Sequence, residues 1–254
     1  MVADRNAQGD AWRVWNRDAS VEQRTFQRAT GELPEMECTK QLVRLVAPLY
    51  SPGMEILDVG CAAGHYYNGL QRIDPAIRYH GIDATAAYID FARRHFKDHA
   101  HASFELGDIF ALPAVLDTRF DIVFCCNLLL HLPSVQLPLA NLMRASKKYC
   151  ILRTLIADRT HLSRLLYSDS FDENGEPTDF VYQNTYSHDL IRKIVGDIAP
   201  CKIEFVDDEY DAAAINDEHR RYGGLQSAVT RAQSGVQIAG SKVFDWKWVR
   251  ITKS

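Results

Sequence analysis

Three carboxylates and a run of small residues carry the first chemical signal in this chain. Asp58 stands two residues before the loop Gly60-Cys61-Ala62-Ala63-Gly64, at the end of the apolar run Ile56-Leu57-Asp58-Val59. A run of that kind predicts a buried strand, and the small-residue loop predicts a tight turn into a helix that a ligand can approach closely. Asp83 ends the stretch Gly81-Ile82-Asp83, and Asp108 lies in Gly107-Asp108-Ile109. An acid at the end of a second strand can accept hydrogen bonds from both hydroxyls of a ribose. An acid at the end of a third can accept from an exocyclic adenine amine. The combination points to a nucleoside-bearing cofactor.

The elements that must position these groups alternate. Strands are predicted at Ile56–Val59, Tyr79–Ile82, Ala102–Leu106, Phe120–Cys126, Tyr149–Ile156, Lys202–Val206 and Val243–Ile251. Helices are predicted between them over Ala63–Ile73, Thr85–Phe96, Gln136–Ser146 and Leu190–Ile198, the last capped by Ser187. Such alternation implies an α/β fold with a mainly parallel sheet covered by helices on both faces. Residues 1–50 read as a helical N-terminal cap that closes over the ligand and brings Trp12 or Trp15 to the pocket; residues 51–254 hold the sheet. Two stretches, near 158–186 and 209–241, are far longer than ordinary connections and predict insertions that build a substrate pocket.

Composition excludes several classes. The 254 residues are 46% hydrophobic and 24% charged with a net charge of −4, which argues against a nucleic-acid face. No apolar run approaches the length of a membrane span, and the polar N-terminus lacks a signal-peptide core. The six cysteines form no CxxC pair, so a reduced cytoplasmic protein is expected. Asp98-His99-Ala100-His101 falls in a loop away from the predicted cleft, and no metal is expected. The GxGxxG pattern of dinucleotide enzymes fails, because His65 follows Gly64.

Taken in order, ILDVGCAAG, GID, GDI and FDIVFCCNLLLHL resemble the motif series of the class I S-adenosylmethionine-dependent methyltransferases over residues 54–156. The resemblance implies a Rossmann-like, seven-stranded sheet whose last strand is antiparallel. It implies S-adenosylmethionine as cofactor, with Gly60, Ala62 and Gly64 around its methionine part and Asp58 supporting that loop. Asp83 would hold the ribose, Asp108 and the backbone of Ile109 the adenine, and Asn127 would face the methionine end. The family often has glycine where Ala62 stands, and alanine is expected there only with a negative φ.

Methyl transfer from a sulfonium needs positioning, exclusion of water and a nucleophile with a lone pair. His131, shortly after the fourth strand, is the base candidate for a hydroxyl acceptor; its alternative role is a pocket wall. His65 either contacts the donor, caps its helix or is exposed. One of Tyr66 and Tyr67 faces the cofactor while the other packs in the core. Tyr182, Tyr186, Arg221 and Tyr222 are the candidate substrate contacts, or else exposed loop. A helix is predicted over Gln226–Gln233. The expected activity is methylation of a small polar molecule, at oxygen, such as a sugar. Methylation of a small amine, a catalytically silent donor-binding module and a dinucleotide oxidoreductase are the alternatives. Neither nucleic-acid nor membrane partners are expected, and the sequence does not fix an oligomeric state.

Overall fold

Period-two alternation sorts the apolar side chains of the central strands onto two faces. In strand β1 (Glu55–Val59), Leu57 and Val59 join one buried cluster and Ile56 joins the other. In β4 (Phe120–Cys126), Val123 and Cys125 face the first cluster, and Ile122, Phe124 and Cys126 the second. This two-sided burial makes those strands nearly continuous apolar runs. The computed structural model describes residues 19–112, 119–166, 168–222, 230–239 and 242–254, with Tyr222 described by its backbone alone.

Helices α1 (Ala19–Thr30) and α2 (Glu37–Val46) precede β1. Then come α3 (His65–Leu70), β2 (Arg78–Asp83), α4 (Ala86–His95) and β3 (Ala102–Leu106). After β4 follow α5 (Gln136–Ala145) and β5 (Ser146–Ala157). Short strands β6 (Arg164–Leu166), β7 (Phe180–Tyr182) and β8 (Tyr186–Ser187) lead to α6 (His188–Gly196) and β9 (Cys201–Asp207). The chain ends with α7 (Ala212–Tyr222), β10 (Arg231–Gln233), β11 (Val236–Ala239), β12 (Lys242–Phe244) and β13 (Trp246–Lys253).

The main sheet runs β3-β2-β1-β4-β5-β13-β9, with β8 pairing a further two residues of β5. The pairs from β3 through β5 are parallel, and β13 runs antiparallel to both β5 and β9. The expected seven-stranded sheet with an antiparallel final strand is therefore present. Side chains of α2, α3 and α4 fill the cluster on one face, and those of α5 and α6 the cluster on the other. Strand order reverses between β1 and β4, so a crevice opens at their carboxyl ends.

The two long stretches fold locally. The first carries the antiparallel pair β6–β7, and the second carries α7, β10 and β11, with β12 pairing antiparallel to β11 just beyond it. The helix predicted over Gln226–Gln233 is corrected at its end: Arg231–Gln233 is strand β10, and residues 226–229 lie outside the described residues. Ser234 and Gly235, at φ 52° and 79°, make the reversal that joins β10 to β11.

Candidate active site

The turn after β1 is tied to the end of β2. The amides of Gly60 and Cys61 both donate to the Ile82 carbonyl, at 2.7 and 3.1 Å, and the Ala62 amide donates to Asp83 Oδ2 at 2.9 Å. Ala62 has φ +48°, which corrects the expectation of a negative angle. An alanine is held there because its amide points at a carboxylate, and the left-handed cost is of order 1–2 kcal/mol. Gly60 and Gly64 both have φ 83°. A Cβ on Gly64 would sit 2.6 Å from the Phe104 ring, so this glycine serves close packing of the turn on aromatic side chains.

Asp83 closes the turn from the other side, with Oδ1 accepting the Thr85 amide at 2.8 Å. Burial pushes its carboxyl up, and the amides of Thr85 and Ala62 pull it back. The Thr85 hydroxyl and the Ala84 amide add to that pull. Asp108 Oδ1 accepts the Phe110 amide at 2.9 Å, starting the short turn Ile109–Ala111. Asn141 of α5 fixes that turn from below, donating to the Ile109 carbonyl at 2.9 Å. The Asp58 carboxylate makes no hydrogen bond to the turn among the described residues. Its Oδ2 accepts from the Tyr79 hydroxyl at 2.5 Å, its Oδ1 has no partner among the described residues, and burial pushes its carboxyl well up.

Asn127 follows β4 with φ +61°, a conformation asparagine tolerates. Its Oδ1 accepts from Arg153 Nη1 at 2.5 Å. Arg153, on β5, also makes two bonds of 2.7 Å to the carboxylate of Asp208 and lies 4.2 Å over the Trp246 ring. Sequence reasoning missed this group. The signal was a cation inside the apolar run Ile151-Leu152-Arg153-Thr154-Leu155.

His131 ends the turn Leu129–His131 and its Nδ1 meets the Tyr182 carbonyl at 2.8 Å. A carbonyl only accepts, so Nδ1 carries the proton and Nε2 the lone pair. Burial, with the Lys242 charge adding to it, lowers this imidazole to about 4 against the opposing pull of the Tyr182 carbonyl. The ring is therefore neutral at physiological pH.

The predicted substrate tyrosines are placed differently. Tyr186 is 1% exposed in the core, and its hydroxyl donates to the Leu129 carbonyl at 2.8 Å. Tyr182 turns its ring to Phe180, 5.2 Å away, and its alternation partners Val181 and Gln183 face the cavity instead. Asn184 Nδ2 donates to the Leu132 carbonyl at 2.8 Å. These three residues brace the histidine turn. Arg221 lines the cavity from α7 and pairs with Asp217 at 2.8 Å. The side chain of Tyr222, with Trp12 and Trp15, lies outside the described residues.

One cavity of about 590 Å³ gathers Gly60, Ala62, His65, Asp83, Asp108, Ile109, Asn127, His131, Arg153 and Arg221 in its wall. Tyr66 also lines it, whereas Tyr67 packs on Tyr79 and Phe96. Asp58, Gly64, Tyr182 and Tyr186 are not among the lining residues. The volume suits a nucleoside cofactor with a small partner. The donor set fits a nucleoside: two anchored carboxylates at adjacent strand ends, beside a turn made of small residues. Among the described residues no cluster of His, Cys, Asp and Glu is arranged to hold a metal, and no helix is long and apolar enough to cross a membrane.

The sheet order and the crevice at its switch point define the class I methyltransferase fold. The chain belongs to the family whose model is described as a methyltransferase domain, matched over residues 50–200. The magnesium protoporphyrin IX methyltransferase of Synechocystis PCC 6803, solved with bound S-adenosylmethionine, is similar over 100% of both chains at 14% identity, with a TM-score of 0.56. A putative sarcosine dimethylglycine methyltransferase from Galdieria sulphuraria is similar over 86% of this chain and 85% of its own, at 11% identity and a TM-score of 0.54. A [4+2]-cyclase is similar over 84% of this chain and 80% of its own, at 17% identity and a TM-score of 0.52. No curated protein matches the chain by sequence.

Proposed function

We propose that this methyltransferase-family chain takes S-adenosylmethionine as donor and methylates a small polar molecule at a hydroxyl. What carries the reading is that the carboxylates of Asp83 and Asp108, the Gly60–Ala62 turn and the neutral imidazole of His131 all line one cavity. The bound donor would supply an electrophilic methyl group on a sulfonium. Asp83 would accept from the ribose hydroxyls, and Asp108 from the adenine amine, with the Ile109 backbone beside it. Asn127, held by Arg153, would bound the methionine end. His131 would take the acceptor's proton at Nε2 as the oxygen attacks, because Nδ1 is committed to Tyr182. Arg221, Val181 of β7 and Gln183 just after that strand would form part of the acceptor wall.

The similarity to a cyclase shows that this fold hosts chemistry other than methyl transfer. The test is therefore of donor and product together. Calorimetry should show S-adenosylmethionine binding to the wild-type chain and at least tenfold weaker binding to Asp83→Ala, for a lost pair of charge-assisted hydrogen bonds. Metabolites incubated with labelled donor should yield a labelled product, formed at least a hundredfold more slowly by His131→Ala. No binding by the wild-type chain, or undiminished binding by Asp83→Ala, would sink the donor assignment. A product methylated at nitrogen would replace the hydroxyl acceptor with an amine.

A further inference from the structure

The donor end of the cavity holds polar atoms that the fold leaves unsatisfied. His65 lines the cavity at the start of α3, and both of its ring nitrogens are buried with no hydrogen-bond partner among the described residues. Arg28 lines the same cavity from α1, and its Nε is also buried with no partner among the described residues. The other end of that guanidinium is engaged, with Nη2 donating to Glu218 of α7 at 2.5 Å. Both side chains face the same cavity. Burial, with the Arg28 charge adding to it, lowers the His65 imidazole to about 3. Buried polar groups are costly to leave unpaired, so a constellation of them in a cavity wall marks a place where a ligand completes the bonding.

The orphaned set has a definite chemistry. Arg28 Nε–H is a donor with a full positive charge behind it. A neutral His65 offers one N–H donor and one lone pair. Two donors beside a cation call for a carboxylate, and the adjacent acceptor calls for an ammonium. A zwitterionic α-amino acid presents both on neighbouring atoms. The position agrees, because His65 directly follows the Gly60–Gly64 turn.

We propose that Arg28 and His65 form the subsite for the amino-acid tail of the donor, Arg28 reading its carboxylate and His65 bridging carboxylate and ammonium. This deepens the donor assignment above and rests on it. Arg28 belongs to α1, outside the residues matched by the family model, so the tail would be read by a segment that the model does not include. The same guanidinium holds Glu218, which ties the tail subsite to the helix that carries Arg221.

The test compares S-adenosylhomocysteine with S-adenosyl-3-thiopropylamine, which differs only by lacking the carboxylate. Calorimetry on the wild-type chain should show tighter binding of the first by about tenfold or more. Arg28→Met should lose that preference while its affinity for the decarboxylated ligand stays within about twofold, and Arg28→Lys should recover part of it. His65→Phe should weaken both ligands, because its lone pair also serves the ammonium. Thermal melts of each variant separate loss of binding from loss of fold. A wild-type chain that binds both ligands equally, or an Arg28→Met variant weakened equally for both, overturns the subsite and leaves the donor assignment standing. A wild-type chain that binds neither overturns the donor assignment and the subsite with it.

Discussion

Two small residues two positions apart in the chain show how differently one conformation can be demanded. Gly64 and Ala62 both have positive φ, yet one position tolerates a methyl group and the other does not. At Gly64 an added Cβ would lie 2.6 Å from one atom of the Phe104 ring and 2.9 Å from Phe96. Gly64→Ala therefore adds left-handed strain to a steric conflict, and should lower stability by about 3 kcal/mol in urea unfolding. Ala62→Gly relieves the strain but gives back chain entropy, so it should change stability by less than about 1 kcal/mol. Equal costs at both sites would show that packing against Phe104 and Phe96 does not set the requirement. The other residues of the site divide by the same question of what each atom already holds. Asp83 anchors the turn with both oxygens and still lines the cavity, whereas Tyr186 spends its hydroxyl on the Leu129 carbonyl deep in the core.

Strand ends supply the site, and ion pairing locks three of them together. Arg153 near the end of β5 joins Asn127 after β4 and Asp208 after β9, and the Trp246 ring of β13 covers it. The guanidinium side chain is 8% exposed and the carboxylate 4%, so neither charge has water to fall back on. Arg153→Met should strand the Asp208 charge and cost about 3–5 kcal/mol in urea unfolding. Replacing both, as Arg153→Met with Asp208→Leu, should cost less than the single change, because no lone charge then remains. A harmless single change would mean that the pair is solvated. This lock also marks where sequence reading stops. Strands β3 and β4 were legible to the residue, because turn residues or polar breaks bound their apolar runs. The partner of Arg153 was not legible, because 55 residues separate it from Asp208. Tyr182 and Tyr186 drew attention by residue type, but a three-residue strand has too short an alternation to reveal which side faces the cavity. The reversal at Ser234-Gly235 was visible as a turn dipeptide, and the helix expected across Arg231–Gln233 ignored that the strand before it needs such a turn.

The whole molecule carries titratable groups of opposite sign inside, and they set its response to acid. His65 and His131 are lowered, to about 3 and about 4, chiefly by burial. Each is neutral when folded and takes up a proton more readily when unfolded, so each removes stability as pH falls from about 6.5 toward its folded value. Asp58 and Asp83 are raised, again chiefly by burial. Each holds a proton when folded at a pH where the unfolded carboxyl has lost it, so each removes stability as pH rises above about 3.9. The two sets oppose one another across the mildly acidic range, and the wild-type curve alone does not separate them. Asp58→Asn does, because it keeps the shape and the bond accepted from Tyr79 while deleting the titration. The stability difference between variant and wild type should be smallest in the variant's favour at pH 3, where the carboxyl is protonated in both states. It should grow in the variant's favour as pH rises above about 3.9, and level off once pH has passed the folded pKa of Asp58. Urea midpoints measured for both proteins from pH 3 to 9 would show this rise; a difference that stays flat, or that turns against the variant as pH increases, would mean that Asp58 is ionised within the fold and that an unseen partner occupies its Oδ1.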